Sequence, residues 1–314
     1  MFRRLIMVAW MALGWTLQPL TLKAPGPIRA DICNVLALSG GGSFGAVQMG
    51  VLDSLIGSGV APDWYDIITG ISAGGLNAAF LSYSTNVSAA LPQIRNIYAN
   101  LTTAQIYTND IFHIFSTYGV YSTEPLAATL TQIIESHVPI AEGPITLIGA
   151  TNLEAQTLDV FRYDQAPDTA DRLDMLMSTS AIPIVFPPHP MNGLLYVDGG
   201  VISNEMIQQA VSQKSCGFYN FTFVSAASAA ATNRTINGFF SYISAVGALL
   251  LNTFDYQLAE YESVACSGAP RGLIQACFPI SPLLAQYSIL DFDNGALLYD
   301  LGRAGFECVN YQFC

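Results

Sequence analysis

A serine between two glycines, in the stretch Gly70–Gly74, has the G-x-S-x-G spacing of a serine nucleophile. The apolar run Tyr65–Thr69 before it is typical of a strand, and the run Gly75–Tyr83 after it is typical of a helix. Such a sharp turn needs glycines on both sides of the serine, because larger side chains would clash. It pushes the hydroxyl of Ser72 out beyond the strand, where the helix N-terminus favours negative charge. We therefore predict that Ser72 is a catalytic nucleophile.

Three consecutive glycines form a second loop suited to negative charge. Gly40, Gly41 and Gly42 follow the apolar run Val35–Leu38, and Gly45 stands just before a helical run. Backbone N–H groups exposed at such a helix start converge on one anion. A P-loop would need a lysine here, and a dinucleotide fingerprint would need an acidic residue at the end of the next strand; neither is present. The serine turn favours the other interpretation, an oxyanion hole for acyl transfer.

A serine nucleophile needs a base, and the sequence offers two kinds. Of the three histidines, only His189 could complete a Ser-His-Asp triad, but its proline-rich surroundings are typical of an ordinary loop. The second candidate is the carboxylate of Asp198, which ends an apolar run beside Gly199 and Gly200. Without the two motifs above, this aspartate would be interpreted as a simple turn residue. On the residues alone, both bases remain open.

Strand and helix patterns alternate along the chain, which favours an α/β fold. The predicted strands are 35–38, 65–69, 145–150, 158–163, 196–198 and 218–224, and the predicted helices are 46–56, 75–83, 124–136, 171–179 and 236–264. Polar residues interrupt the very apolar centre of the last helix, so we expect a buried or lipid-facing helix rather than a membrane span. Since no repeat or linker is visible, we predict one domain over residues 31–303.

The composition excludes several classes of partner. The chain has 314 residues, of which 52% are apolar, and it carries 11 Lys and Arg against 23 Asp and Glu, a net charge of −12. A nucleic-acid partner would need clustered cations to neutralise phosphate, and none occur. Attraction to strongly anionic membranes is also disfavoured. A neutral or zwitterionic substrate is compatible with this charge.

Residues 1–30 have the layout of a secretory signal peptide: a basic start, an uncharged apolar stretch, and a segment broken by prolines. The alternative is an uncleaved signal anchor. Sequons for N-glycosylation occur at Asn86, Asn100, Asn220 and Asn233, of which Asn220 abuts an apolar run. We expect a secreted or lumenal protein, vacuolar compartments included, or one tethered to a membrane by the anchor.

The six cysteines, all beyond residue 30, are compatible with up to three disulfides in an oxidising compartment. Local pairing would join Cys266 to Cys277 and Cys308 to Cys314, which leaves Cys33 for Cys216; buried free thiols are the alternative. Residues 304–314 are then a disulfide-tied C-terminal tail. No C-x-x-C pair occurs, so we predict no metal site.

Taken together, these motifs resemble the patatin-like phospholipase family, over nearly all of residues 33–303. Leu38–Ala46 is similar to its glycine-rich oxyanion segment and Gly70–Gly75 to its nucleophile turn. Ser178–Pro188 followed by Val197–Gly200 is similar to the segment with its catalytic aspartate, and Ile289–Arg303 to its closing helix. One departure is Phe44, where many members carry Arg or Lys.

The resemblance implies a three-layer α/β/α fold around a central, mostly parallel sheet. It also implies a Ser-Asp dyad, with Ser72 as nucleophile, Asp198 as base, and an oxyanion hole from the Gly40–Gly42 segment, chiefly the amides of Gly41 and Gly42. The expected function is a serine lipid acyl hydrolase that cleaves fatty-acyl esters of phospholipids or related glycerolipids at a membrane or micelle interface. No cofactor and no obligate protein partner are expected. The alternatives are a carboxylesterase that uses His189 and a catalytically silent secreted protein with the same fold.

Overall fold

The central element is a β-sheet, seen in a computed structural model that describes residues 31–109, 114–137, 139–140, 142–226 and 271–313. In chain order, the strands of this described part are β1 (Ile32–Leu38), β2 (Ile67–Ile71), β3 (Thr108–Asn109), β4 (Tyr121–Ser122), β5 (Ile145–Asn152), β6 (Thr157–Arg162), β7 (His189–Met191), β8 (Leu194–Asp198), β9 (Phe218–Val224), β10 (Gly272–Pro279) and β11 (Phe306–Phe313). The α-helices there are α1 (Gly45–Gly57), α2 (Ala73–Leu81), α3 (Val87–Asn100), α4 (Ile114–Thr117), α5 (Glu124–Ser136), α6 (Thr169–Thr179), α7 (Ile207–Gln213) and α8 (Gly295–Ala304).

The sheet is mostly parallel, as predicted. Its order is β11-β10-β9-β1-β2-β5-β8-β7, with β6 also paired to β5, while β3 and β4 form a small sheet of their own. Strands β10, β9, β1, β2 and β5 run parallel. Such strands are covered on both faces, which explains why β1 and β2 are near-continuous apolar runs. Their carboxyl ends share one edge of the sheet, and the loops that follow β1 and β2 meet there.

Strand β8 approaches β2 from the opposite direction. Residues 147–152 of β5 pair with β6, so β6 occupies one side of β5. On its other side, β5 pairs with β2 through residues 145–149 and with β8 through residues 150–152. Because β8 is antiparallel to β5 and β2 is parallel to it, the two strands point toward each other along the same side. The residues at the ends of β2 and β8 therefore come together.

Apolar cores cover both faces of the sheet, as a layered α/β/α arrangement requires. On one face, buried side chains of α1, α2, α3, α5, α6 and α8 pack on alternate residues of β1, such as Leu36 and Leu38. On the other face, Val35 and Ala37 of β1 pack with buried residues of α7. The period of two along a strand divides its residues between the two cores.

Two disulfides join described residues. Cys33 is bonded to Cys216, as predicted. Cys277 is bonded to Cys308, so the predicted local pairs of Cys277 with Cys266 and of Cys308 with Cys314 are wrong. The reason is the antiparallel register of β10 and β11, which places Cys277 directly opposite Cys308.

The C-terminal segment is not only a tail. Residues 306–313 form the edge strand β11, and a disulfide ties that strand to its neighbour β10. Polar residues alternate irregularly with apolar ones in this strand, and such a pattern carries a weak sequence signal for an edge strand.

Several predictions fall on residues outside the described part. These are the signal peptide at 1–30, the helix at 236–264, Asn233, Cys266 and Cys314. Among the residues that the structure describes, no helix is both long enough and apolar enough to cross a lipid bilayer.

Candidate active site

Ser72 occupies the sharp turn between β2 and α2. Its backbone has φ 54° and ψ −127°, a conformation uncommon for any residue but glycine, and it is 5% exposed. The flanking glycines are required by close approach. A Cβ at Gly70 would lie 2.1 Å from the carbonyl oxygen of Gly74, and one at Gly74 would lie 2.4 Å from that of Leu38. The predicted turn is therefore present, and it directs Ser72 into a cleft at the carboxyl edge of the sheet.

Asp198 lies at the end of β8 and lines the same cleft as Ser72. Its Oδ1 accepts a hydrogen bond of 2.9 Å from the N–H of Gly200, in the 3₁₀ turn that begins at Gly199. Burial raises the pKa of the Asp198 carboxyl to about 6, although hydrogen bonds from the Ser72 side chain and the Gly200 N–H act to lower it. At neutral pH such a carboxyl is mostly ionised and is a stronger base than an ordinary aspartate.

A threonine that the sequence analysis missed holds the serine turn in place. The hydroxyl of Thr179, at the end of α6, accepts a hydrogen bond of 2.8 Å from the N–H of Ser72. The same hydroxyl donates a bond of 2.6 Å to the carbonyl oxygen of Gly149 in β5. Thr179 is fully buried, so it ties the strained turn to the neighbouring strand. The sequence signal for Thr179 is its position within Ser178–Pro188, the segment that resembles part of the family's aspartate region.

The glycine loop also lines the cleft. Gly42 has φ +56°, and a Cβ there would lie 2.2 Å from the carbonyl oxygen of Ile289. The N–H of Gly40 donates to Oδ1 of Asn204 at 3.3 Å, so it is already engaged. Within the described part of the chain, the N–H groups of Gly41 and Gly42 donate to no backbone or side-chain acceptor. These two amides are thus the ones available to an oxyanion.

Asn204 is a second residue that the sequence analysis missed. It is fully buried, it lines the cleft, and its side chain fixes the start of the glycine loop through the bond to Gly40. Phe44 is buried in the apolar core and places no charge in the cleft.

His189 lies elsewhere. Its Nε2 is 2.9 Å from Oδ1 of Asp174, and the side chain lines a separate cavity of about 190 Å³ with Ser180 and Thr123. His137 stacks on Tyr83, and residue 113 is outside the described part. Among the described residues, none of the histidines lines the cleft with Ser72. No group of three or more His, Cys, Asp or Glu side chains suited to a metal occurs among them either.

Comparison with known proteins decides the family. The sequence profile described as patatin-like phospholipase matches residues 36–211, which is more than half of the chain. The chain belongs to the patatin-like phospholipase family. The match contains the glycine loop, the Ser72 turn and Asp198, so the resemblance inferred from those motifs is confirmed.

Two relatives of this patatin-like protein carry informative names. A probable lipid hydrolase of Invertebrate iridescent virus 6 is 28% identical over 195 residues, which is 59% of this chain and 65% of the relative. A cGAMP-activated phospholipase of Vibrio cholerae is 25% identical over 193 residues, 54% of each chain. The chain thus matches between about half and two thirds of the length of these relatives. The crystal structure of VipD from Legionella pneumophila superposes with a TM-score of 0.37 and 14% identity, over 89% of this chain and 68% of that one.

Proposed function

We propose that this protein is a serine lipid acyl hydrolase that cleaves fatty-acyl esters of phospholipids or related glycerolipids through a Ser-Asp dyad. Family membership and the names of the two relatives support hydrolysis of lipid carboxylic esters. The observation that supports the more specific part of the proposal, the Ser-Asp dyad, is the composition of the cleft. The cleft combines Ser72 on a strained turn, Asp198 with a raised pKa, and the amides of Gly41 and Gly42, which donate to no acceptor among the described residues.

The proposed reaction proceeds in two halves. In the first, Asp198 accepts the Ser72 proton while the serine oxygen attacks the ester carbonyl, and the Gly41 and Gly42 N–H groups bind the oxyanion. The tetrahedral intermediate then expels the alcohol, which takes the proton from Asp198, and the acyl group remains on Ser72. In the second half, Asp198 accepts a proton from water as the water oxygen attacks the acyl-enzyme carbonyl. The second tetrahedral intermediate then collapses, Asp198 returns the proton to the Ser72 oxygen, and the fatty acid is released.

Labelling with a fluorophosphonate probe tests the proposal. We expect covalent modification of the folded protein at Ser72, located by peptide mass mapping, because the probe reacts only with activated serines. His189→Ala is the matched test of the alternative base: since His189 pairs with Asp174 outside the cleft, labelling and ester hydrolysis should stay near the wild-type rate. Loss of both in His189→Ala would support the carboxylesterase triad instead. Absence of labelling in well-folded wild-type protein would support the catalytically silent alternative.

Gly42→Ala is expected to lower kcat by about 10²-fold, the typical effect of losing one oxyanion donor. The added Cβ must displace the Ile289 carbonyl, and the φ of +56° is strained for alanine, so the loop amides move. Gly59→Ala is the control, because Gly59 also has a positive φ, of +71°, but nothing lies within 4 Å of its added Cβ. Steady-state kinetics on a soluble ester compare the two. Equal activity of both variants would argue against the glycine loop as oxyanion hole.

We also propose passage through the secretory pathway. The two disulfides support an oxidising compartment, and Asn86 and Asn100 are exposed. Asn220 is a poorer acceptor, since it lies within β9 and its amide donates to the side chain of Asn34 at 3.1 Å. Expression in a eukaryotic secretory host should give a protein whose gel mobility shifts on deglycosylation, and the Asn86→Gln/Asn100→Gln variant should lose most of that shift. A wild-type protein without any shift would contradict glycosylation.

A further inference from the structure

Three exposed apolar side chains belong to segments that line the cleft or pair with its lining. Tyr118 is 67% exposed, Ile184 is 52% exposed and Ile202 is 45% exposed. The two residues before Ile184 and the one before Ile202 line the cleft with Ser72. Tyr118 belongs to the same region because its neighbour Gly119 forms a β-bridge with Ile184. We refer to Tyr118, Ile184 and Ile202 as the rim.

Two of the rim residues have a strained backbone conformation. Tyr118 has φ 61° and Ile184 has φ 70°, although neither is glycine or asparagine, and a β-branched residue is especially unsuited to this region. The next two residues after Ile184, Val185 and Phe186, are buried in the core. The turn at Ile184 therefore separates an apolar side chain in water from two that pack inside. A conformation that is strained and also exposes apolar surface is a sign of function.

The segments that carry the rim have no charge. No Asp, Glu, Lys, Arg or His occurs in residues 118–123, 180–188 or 199–204, although the whole chain has a net charge of −12. A strongly anionic membrane would repel this acidic protein, and the rim offers no cation to overcome that repulsion. A zwitterionic lipid surface fits better, since apolar side chains can enter it without an opposing charge. Tyrosine is also favoured at the headgroup level of such a surface.

We propose that the rim docks the protein on a zwitterionic lipid surface, with the cleft facing the ester groups of that surface. The inference rests on the proposed function for the identity of the substrate. Beyond the proposed function, it specifies which residues contact the membrane and what charge that membrane carries. Because Tyr118 and Ile184 do not line the cleft, docking and ester chemistry can be separated by mutation.

The test is the double variant Tyr118→Asn/Ile184→Asn. Asparagine tolerates positive φ better than tyrosine or isoleucine, so the variant should fold at least as well as the wild type. Flotation with phosphatidylcholine vesicles should show a partition coefficient lower by about 10- to 100-fold, since two half-exposed apolar side chains no longer enter the lipid. Hydrolysis of the vesicle phospholipid should fall in parallel. The rate on a soluble short-chain ester should be unchanged.

Trp64→Asn is the matched control. Trp64 is also apolar and 52% exposed, but it stands just before β2, at the amino edge of the sheet, away from the cleft. Its replacement should leave vesicle binding unchanged. An equal loss of binding in the control would show that any exposed apolar side chain suffices, which would overturn the assignment to the rim.

Other outcomes also overturn the proposal. These are wild-type binding by the double variant, absence of vesicle binding by the wild type, or stronger binding to vesicles rich in phosphatidylglycerol than to pure phosphatidylcholine. Self-association of the wild type that the double variant abolishes, without vesicle binding, would assign the rim to a second copy of the chain. Rim-dependent vesicle binding by a wild type that hydrolyses no ester would refute the proposed function but support the rim.

Discussion

Ser72→Ala is expected to lower kcat for ester hydrolysis by about 10⁴-fold or more, the scale seen when a serine nucleophile is removed. The physical reason is that no acyl-enzyme can form, and only substrate binding and the oxyanion amides remain. The backbone contacts of the turn do not involve the lost hydroxyl: the N–H of residue 72 still donates to Thr179, and alanine can occupy the same strained conformation as serine. The variant should therefore fold as the wild type does.

Steady-state kinetics on a soluble ester, with circular dichroism as a check of the fold, measure this effect. Ser82→Ala is the matched control. Ser82 is another buried serine, whose hydroxyl donates to the carbonyl oxygen of Ala79 at 2.6 Å, outside the cleft. Its replacement should leave the rate near that of the wild type. If Ser72→Ala kept a tenth of the wild-type rate, the nucleophile would have to be a different residue.

Asp198→Asn should have the second largest effect, a loss of about 10³- to 10⁴-fold in kcat, because a neutral amide cannot accept the serine proton. The pH profile gives a sharper signature. Burial raises the pKa of Asp198 to about 6, and only the ionised carboxylate acts as a base. In the wild type, kcat/KM should therefore rise through about pH 6 and level off above it. The residual activity of the variant should lack this step, and a wild-type profile that stays flat between pH 5 and 8 would contradict the dyad.

The same pKa predicts an opposite effect on stability. Because the folded-state pKa lies above the ordinary value of 3.8, folding favours the protonated carboxyl. The contribution of Asp198 to stability is fully present below about pH 4 and is lost as pH rises through about 6. The free energy of unfolding of Asp198→Asn minus that of the wild type should be larger at pH 7.5 than at pH 4. The expected increase is about 2 to 3 kcal/mol, because each pKa unit corresponds to about 1.4 kcal/mol. Urea unfolding at the two pH values measures this gain, and an equal difference at both would contradict it.

Local sequence signals determined much of the site. The apolar runs of β1 and β2, the glycines around Ser72 and the triple glycine each act over a few neighbouring residues, so their geometry was visible without the fold. Helix α5 was predicted with the bounds it has, since Pro125 suits the first turn of a helix. The position of Asp198 at the end of a strand was predicted on the same local grounds.

Only the tertiary structure decided which distant residues meet. The sequence left His189 and Asp198 open as bases on the residues alone, and the antiparallel approach of β8 to β5 placed Asp198 in the cleft while His189 paired with Asp174. The register between β10 and β11 likewise replaced the predicted local pairs of Cys277 and Cys308 by one bond across two strands. Strand register and side-chain partnership arise from packing between segments far apart in the chain. A local pattern carries no information about that packing, because the same strand can pair with several neighbours. Which neighbour it pairs with is determined only when the whole sheet has formed.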